Sequence, residues 1–369
     1  MNHNILQLCL SPALGGLELY VKRLASFLNE NGGVTCVLNE NGRLRDAFSE
    51  ENLNFIEMEK PSIIYLISAA KKIARIIDEN GIDVIHIHWT KDIPVAVLAK
   101  CFSRRNPKLV QSRHMAMTRF KGDPYHRFLY KNLDMMIAVT KAVQAQLEAF
   151  IPMEIRPTVE THYIGAGMPR VIADEERIAL RKRYNLGHSF VVGIVGRIEE
   201  GKGQYLLIDA IRQLKSDGVD VKALIVGDAM SLDYLEQVRA GIKRDELGKD
   251  IIFTGFVNHA QELMQMCDAI VLATHNETFG LVLIEAMQCG VPVIGSNCGG
   301  PLEIIEDHQS GLLFESLNSR DLAAKIKYLI ENADARMSLA EQGRQRALEL
   351  FNEQNQFQEV VGVLEGLTG

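Results

Sequence analysis

Short apolar runs of strand length alternate with longer amphipathic runs along this chain, and no other feature constrains its fold as tightly. Residues 4–10 read as a strand. Gly15 and Gly16 follow, then a helix with Leu17, Tyr20, Val21, Leu24, Phe27 and Leu28 on one face, ended by Asn31-Gly32. Further strands are expected at 34–38, 83–88, 109–112 and 135–139, with helices at 62–80, 93–102, 124–132 and 141–150. The pattern blurs from 151 to 167 and then restarts. Strands at 190–195, 222–226, 251–254, 269–273 and 291–295 alternate with helices at 204–214, 234–243, 260–266, 281–289 and 301–306. Helical stretches at 319–331, 335–350 and 353–367 close the chain. Such βα series demand mostly parallel sheets covered on both faces, so two of them imply an α/β protein with two doubly wound lobes. Open parallel sheets bind ligands beyond the carboxyl ends of their strands, which directs attention to the loops there.

Length supports the same division, since 369 residues favour two domains. A net charge of −7 argues against a general nucleic-acid binder. Cys9, Cys36, Cys101, Cys267, Cys289 and Cys298 show no zinc spacing and read as buried, reduced thiols of a cytoplasmic protein. The N-terminal MNHNILQLCLSPALGG lacks the basic segment and apolar length of a signal peptide. No apolar stretch is long enough to span a bilayer, so any membrane contact should be peripheral.

Three loops carry candidate chemistry. Gly15 and Gly16, after the first strand, let backbone N–H groups approach an anion at a helix N-terminus, although a plain tight turn reads the same way. No GxGxxG is present, which counts against a nicotinamide site. In VVGIVGRIEEGKG, Arg197 and Lys202 stand beyond a strand end and could clamp a diphosphate, or could belong to a solvated basic loop. In THNETFGLVLIEAMQCGVPVIGSNCGGPLEI, Glu277 sits in a loop and Glu285 in the helix that follows. Thr278, Phe279, Gly280 and Leu281 form that helix's N-terminus, which favours a phosphate. Glu285 lies among apolar neighbours and needs a partner, and a carboxylate facing a ribose can accept from both hydroxyls.

These motifs resemble glycosyltransferase family 4, a retaining family. The matching residues are GGLE at 15–18, GR…KG at 196–203, the Glu277-to-Glu285 run, CGVPVIGSNCGGPLEII at 289–305 and GLLF at 311–314. The resemblance implies the GT-B fold, with two Rossmann-like lobes facing a central cleft. It implies an acceptor-binding lobe at 1–167, a donor-binding lobe at 168–352, and a C-terminal helix at 353–369 that crosses back to the first lobe. By the same resemblance Gly16 offers its N–H to the donor's β-phosphate, and Arg197 and Lys202 hold the diphosphate as leaving group. Glu285 binds the ribose and Glu277 the donor sugar. The histidine that touches the donor sugar is assigned to His114. His86 and His88 alternate onto one strand face as metal ligands or structural histidines, with His88 also a candidate on the acceptor side. Where the family often shows an Asn-Gly-Val-Asp-like turn, this chain has IGAGMP at 164–169. No DxD triplet occurs, in keeping with an enzyme that needs neither metal nor other cofactor.

The resemblance therefore implies sugar transfer with retention from a nucleotide-sugar, a UDP-sugar being the commonest type, to a glycan or glycolipid in bacterial lipopolysaccharide or surface-polysaccharide assembly. A nucleotide-sugar epimerase of similar fold and a catalytically silent sugar-binding scaffold are the alternatives. One local exception to the acidic balance bears on the acceptor. From Lys100 to Lys131 nine Lys or Arg residues, among them Arg119 and Lys121, face one acid, Asp123. With Phe102, Phe120, Tyr125, Phe128 and Tyr130 interleaved, this stretch suits an anionic acceptor or the anionic cytoplasmic face of the inner membrane, or else a solvated surface with structural ion pairs.

Overall fold

In the computed structural model, which describes residues 4–368, the alternation becomes two parallel sheets. The first three residues, part of the N-terminal stretch weighed above as a leader, lie outside the described residues. The chain divides into two units, Met1–Tyr163 with Gln354–Gly369, and Ile164–Glu353.

The first unit's strands are β1 (Ile5–Cys9), β2 (Thr35–Asn39), β3 (Ile56–Met58), β4 (Val84–Ile87), β5 (Lys108–Arg113), β6 (Met135–Ala138) and β7 (Thr158–Thr161). They lie in the order β3-β2-β1-β4-β5-β6-β7, every neighbouring pair parallel. The second unit has β8 (Phe190–Val195), β9 (Val221–Val226), β10 (Ile251–Gly255), β11 (Ala269–Leu272), β12 (Val293–Ser296) and β13 (Leu312–Phe314), in the order β10-β9-β8-β11-β12-β13. In each sheet the order reverses beside the first strand, between β1 and β4 and between β8 and β11. Doubly wound sheets place their ligands at that reversal. The central strands are buried along their whole length because helices cover both faces, which is why they read as unbroken apolar runs.

Five elements depart from the expected pattern. Strands β3 and β7 are half-exposed sheet edges, and β7, with the sequence TVET, contains no buried residue. Strand β13 has only three residues. The short helix Arg43–Glu50 turns only a few residues inward, and Asp174–Arg183 buries none. Without a buried face such segments carry no apolar period to read. The unit boundary also shifts, from 167/168 to 163/164, because residues 165–167 are tied to the second unit. The Ala166 N–H donates to Phe351 O at 3.0 Å, and Ala166 O accepts from Gln288 Nε2 at 3.0 Å.

The closing helix Glu353–Gly366 belongs to the first unit from Gln354 onward. Its buried Phe357 packs edge-on against Tyr20 at 5.6 Å and tilted against Phe27 at 5.5 Å. Losing an aromatic anchor of this kind typically costs about 3–5 kcal/mol. All six cysteines are free, with Cys9, Cys36 and Cys267 buried. Cys289 and Cys298 are half-buried, and the expectation of burial fails for Cys101, which is exposed at the end of helix Ile93–Phe102. No helix among the described residues is long and apolar enough to cross a membrane.

Candidate active site

In the second unit the loops after β8, β11 and β12 converge at the carboxyl edge of the sheet. Gly196 turns the chain out of β8 and leaves Arg197 exposed, 3.2 Å from Glu199. The buried Gln204 holds the Arg197 carbonyl at 2.9 Å. Lys202 closes a short 3-10 turn and gives its ammonium to Glu277 Oε2 at 3.1 Å, so the two residues taken from separate motifs form one ion pair. Gly203 starts the following helix with φ +73°, where a Cβ would lie 2.3 Å from Ala273 O. Only glycine allows the β8 loop to approach the β11 loop so closely.

The Glu277 loop is held from two further sides. Thr274 Oγ1 donates to Gly201 O at 2.8 Å, and Ser296 Oγ donates to Thr274 O at 2.7 Å. Gly299 and Gly300 lie against it so tightly that Cβ atoms would sit 2.2 Å from Glu277 O and 2.0 Å from Phe279 O, while the Gly300 N–H donates to Glu277 O at 2.9 Å. The CGG of the sequence is therefore a clasp on the carboxylate loop. Thr278 is half-buried, whereas Phe279 and Gly280 are buried. The Phe279 ring packs on Phe351 at 6.0 Å, so its side chain belongs to the core and only its backbone is left for a ligand. Gly280 caps the helix Leu281–Gln288. Glu285 on that helix lines a hollow of about 340 Å³ with Arg170, Asn258, His259, Gln261 and Glu262. Its charge also helps burial push the Cys289 thiol up to about 12.

In the first unit Gly15 and Gly16 do open the helix Gly16–Glu30. The structure adds a residue that was given no role in the sequence reading. Glu18 is buried, accepts from the Gly15 N–H at 2.9 Å and from the Ser11 hydroxyl, and so shapes the Gly15-Gly16 turn. Gly16 itself is exposed, with open space around its Cα. Asp92, also unassigned from sequence, is buried and accepts from the Leu10 N–H at 2.8 Å. Burial pushes its carboxyl up to about 8.

A neutral polar cluster lies beside this turn. His86 Nε2 pairs with Ser112 Oγ at 2.7 Å and His86 Nδ1 with Gln7 Nε2 at 3.3 Å, while His88 Nε2 pairs with Gln7 Oε1. His88 is 1% exposed, so its expected place on the acceptor side is corrected: Gln7 holds it inside the sheet layer. The rings of His88 and His114 are 5.8 Å apart, and Tyr20 stands edge-on to His114 at 5.0 Å. Both ring nitrogens of His114 are buried with no hydrogen-bond partner among the described residues. Burial, then the adjacent Arg113 charge, pushes His114 down to about 4, and burial chiefly pushes His86 down to about 3. All three histidines are thus neutral near pH 7. Among the described residues no three His, Cys, Asp or Glu side chains are grouped to hold a metal.

The basic stretch splits by function. Arg113 is buried and spans Thr90 Oγ1, Met115 O and Ala116 O at 2.7–2.9 Å, pinning the turn that carries His114. Lys100 and Lys108 meet Asp134, Arg105 meets Asp83, and Arg127 meets Glu154. Arg119 is exposed and Lys121 half-buried, beside the exposed Phe120 and Met115. Part of the stretch is therefore structural, whereas Arg104, Arg119 and Lys131 are exposed and Lys121 half-buried.

Comparison with known proteins identifies the family and the fold. A model described as "Glycosyl transferases group 1" matches residues 176–346, and one described as "Glycosyl transferase 4-like" matches residues 7–143. The chain is 26% identical to N-acetyl-alpha-D-glucosaminyl L-malate synthase of Bacillus anthracis, over 92% of this chain and 91% of that one. It is 25% identical to N-acetylgalactosamine-N,N'-diacetylbacillosaminyl-diphospho-undecaprenol 4-alpha-N-acetylgalactosaminyltransferase of Campylobacter jejuni, over 90% and 92%. The crystal structure of Anabaena Alr3699/HepE in complex with UDP superposes with a TM-score of 0.86 at 25% identity, covering 98% of this chain and 100% of that one. With one family model on each sheet and relatives aligned along nearly its whole length, the chain belongs to the GT4-like glycosyltransferases of the GT-B fold.

Proposed function

We propose that the protein transfers a sugar, with retention of anomeric configuration and without a metal ion, from a UDP-sugar to an anionic glycan or glycolipid acceptor in bacterial surface-polysaccharide or lipopolysaccharide assembly. The observation that carries this reading is the Lys202–Glu277 pair beside Arg197 at the carboxyl edge of the second sheet. A donor diphosphate competes for the Lys202 ammonium. Arg197 adds a second cation, and the two neutralise the charge that grows on the leaving group as the glycosidic bond breaks. Glu277, released from Lys202, is then available to sugar hydroxyls. Glu285, at the wall of its hollow, serves the ribose. In the first unit the exposed Gly16, at the start of its helix, offers its N–H to phosphate, and the neutral His114 offers a ring nitrogen to a sugar hydroxyl.

The UDP held by the Anabaena relative supports the choice of base, and the diphospho-undecaprenol named for the Campylobacter relative supports a lipid-linked acceptor. The exposed Arg119 with Lys121 suits the negative charge of such an acceptor. The test is calorimetric titration of UDP, GDP, ADP and CMP, with and without magnesium, into wild type and Glu285→Ala. Metal-independent micromolar binding of UDP, lost in the variant, is the expected result. Binding of another nucleotide corrects the donor. No binding of any nucleotide favours the silent scaffold, and nucleotide-sugar isomerised without an acceptor favours the epimerase. Proton NMR of the product's anomeric signal tests retention.

A further inference from the structure

The helix Asp174–Arg183, near the start of the second unit, has ten residues and buries none of them. Polar ties hold it in place of a packed face. Arg170 grips Glu176 at 2.6 Å and Glu262 at 2.9 Å. Arg181 donates to Ser189 O, Met266 O and Gly187 O at 2.6–3.2 Å and meets Asp268 at 3.3 Å. Arg183 lies over the Tyr184 ring at 5.5 Å. Asp174, Glu175, Arg177 and Lys182 are exposed and form no ion pair among the described residues. Residues four apart share a helix face, so Asp174, Ile178 and Lys182 make one stripe, with Ile178 65% exposed at its middle. So short a helix without a buried face is marginal in water, and covering this stripe stabilises it.

The stripe is its own complement. Acids in the first turn and bases in the last suit the helix dipole, which accounts for the order of the charges. The dipole does not account for an isoleucine exposed midway between them. Asp174 and Lys182 stand four residues to either side of Ile178. Two copies of the helix laid antiparallel about a twofold axis at Ile178 therefore set isoleucine on isoleucine and each Asp174 against the other copy's Lys182. A contact between identical surfaces requires such self-complementarity. The surface beside the helix extends the match. Arg177, Lys182 and His188 line a hollow of about 690 Å³, and the acid that lines it, Asp268, is taken by Arg181. The antiparallel arrangement brings the acidic first turn of the second copy, with Asp174 and Glu175, to this cationic side. We propose that the protein pairs with a second copy of itself through the helix Asp174–Arg183, antiparallel about Ile178. One helix face is smaller than the about 1,200 Å² at which stable interfaces begin, so the pairing is reversible.

Sedimentation velocity of the full chain at low salt, at concentrations up to about 100 µM, reads the association. Wild type is expected to form a reversible dimer that added salt weakens. Ile178→Asp should weaken it about tenfold or more, because the change falls twice at the centre of the contact. Asp174→Lys and Lys182→Asp should each weaken it several-fold, because each sets like charges opposite one another. Mixed in equal amounts, these two charge variants should associate with each other about as wild type does, since every pair between the unlike copies is again opposite in sign. Unchanged melting and helix content show that each variant is folded. The proposal is overturned if wild type stays monomeric throughout, or if Ile178→Asp dimerises as wild type does. It is also overturned if the mixed charge variants fail to associate, which would assign their losses to overall charge instead of this pairing.

Discussion

At the carboxyl edge of the second sheet the charges stand on loops and stay partly exposed, as in Lys202, Glu277 and Arg197. At the corresponding region of the first sheet the polar groups are buried and, for the histidines, neutral, and they are held by one another through Gln7, Ser112 and Glu18. Both solutions come from the same parallel-sheet plan, which leaves strand ends free for function while helices seal the faces. The difference lies in what holds the loops. Glycines without Cβ atoms clasp the second unit's charged loops, so a charge can stay partly hydrated yet fixed. In the first unit side-chain hydrogen bonds, to other side chains and to the backbone, do the fixing, and burial keeps the histidines neutral.

The largest effect separates the two regions by chemistry. Lys202→Ala is expected to lower turnover about 10²–10³-fold, the size typical of losing one charge-stabilising contact in a transition state. Steady-state kinetics with saturating donor measures it. A loss no greater than that of Gln7→Ala, which perturbs the neutral cluster, would erase the distinction. Next comes the clasp. Gly300→Ala forces a Cβ to within 2.0 Å of Phe279 O. Overpacking of this kind costs about 1–3 kcal/mol, read as a shift of the denaturant midpoint, and nucleotide binding should weaken with it.

The first unit's buried groups make a smaller, pH-dependent signature. His86 and His114 are held at about 3 and 4, and His88 well below its ordinary value, all by burial. The unfolded chain then binds more protons than the folded one as pH falls below about 6.5, so stability is lost with falling pH at up to about 1.4 kcal/mol per unit for each histidine. Asp92, raised to about 8, acts oppositely. The folded state keeps a proton that the unfolded state has released, so stability is lost as pH rises from about 4 towards 8. Above about pH 6.5 Asp92 acts without the histidines. Urea unfolding across this range should show a decline from pH 6.5 to 8 that Asp92→Asn removes, and a persistent decline would assign it elsewhere. The smallest effect is at the surface. Arg119→Glu/Lys121→Glu should leave nucleotide affinity unchanged and weaken binding to anionic vesicles a few-fold at low salt, an effect that salt screens away.

The alternating pattern made both sheets legible because a doubly covered strand has to be apolar throughout, as β1, β4 and β11 are. The second unit's residues were equally legible. Arg197, Lys202, Glu277 and Glu285 sit in loops and on a helix whose glycine spacing repeats a known pattern, and local sequence is enough to put a charge at a strand end. The first unit resisted such reading. Glu18 and Asp92 resemble any helix-start acid until the structure buries them against the Gly15 and Leu10 N–H groups. His88 looked available until Gln7, eighty-one positions away, was found to hold it. Arg113 counted as one more surface cation until it was seen to grip two carbonyls near His114.

Composition, period and loop motifs thus sufficed for two parallel α/β units and a charged loop site, because those follow from interactions between residues near in sequence and from the need to cover a sheet. The pairing of Lys202 with Glu277, the Gly299-Gly300 clasp and the neutral histidine cluster were decided only in the tertiary structure. Each depends on which distant segments meet, and burial, which sets charge and exposure alike, exists only once they have met.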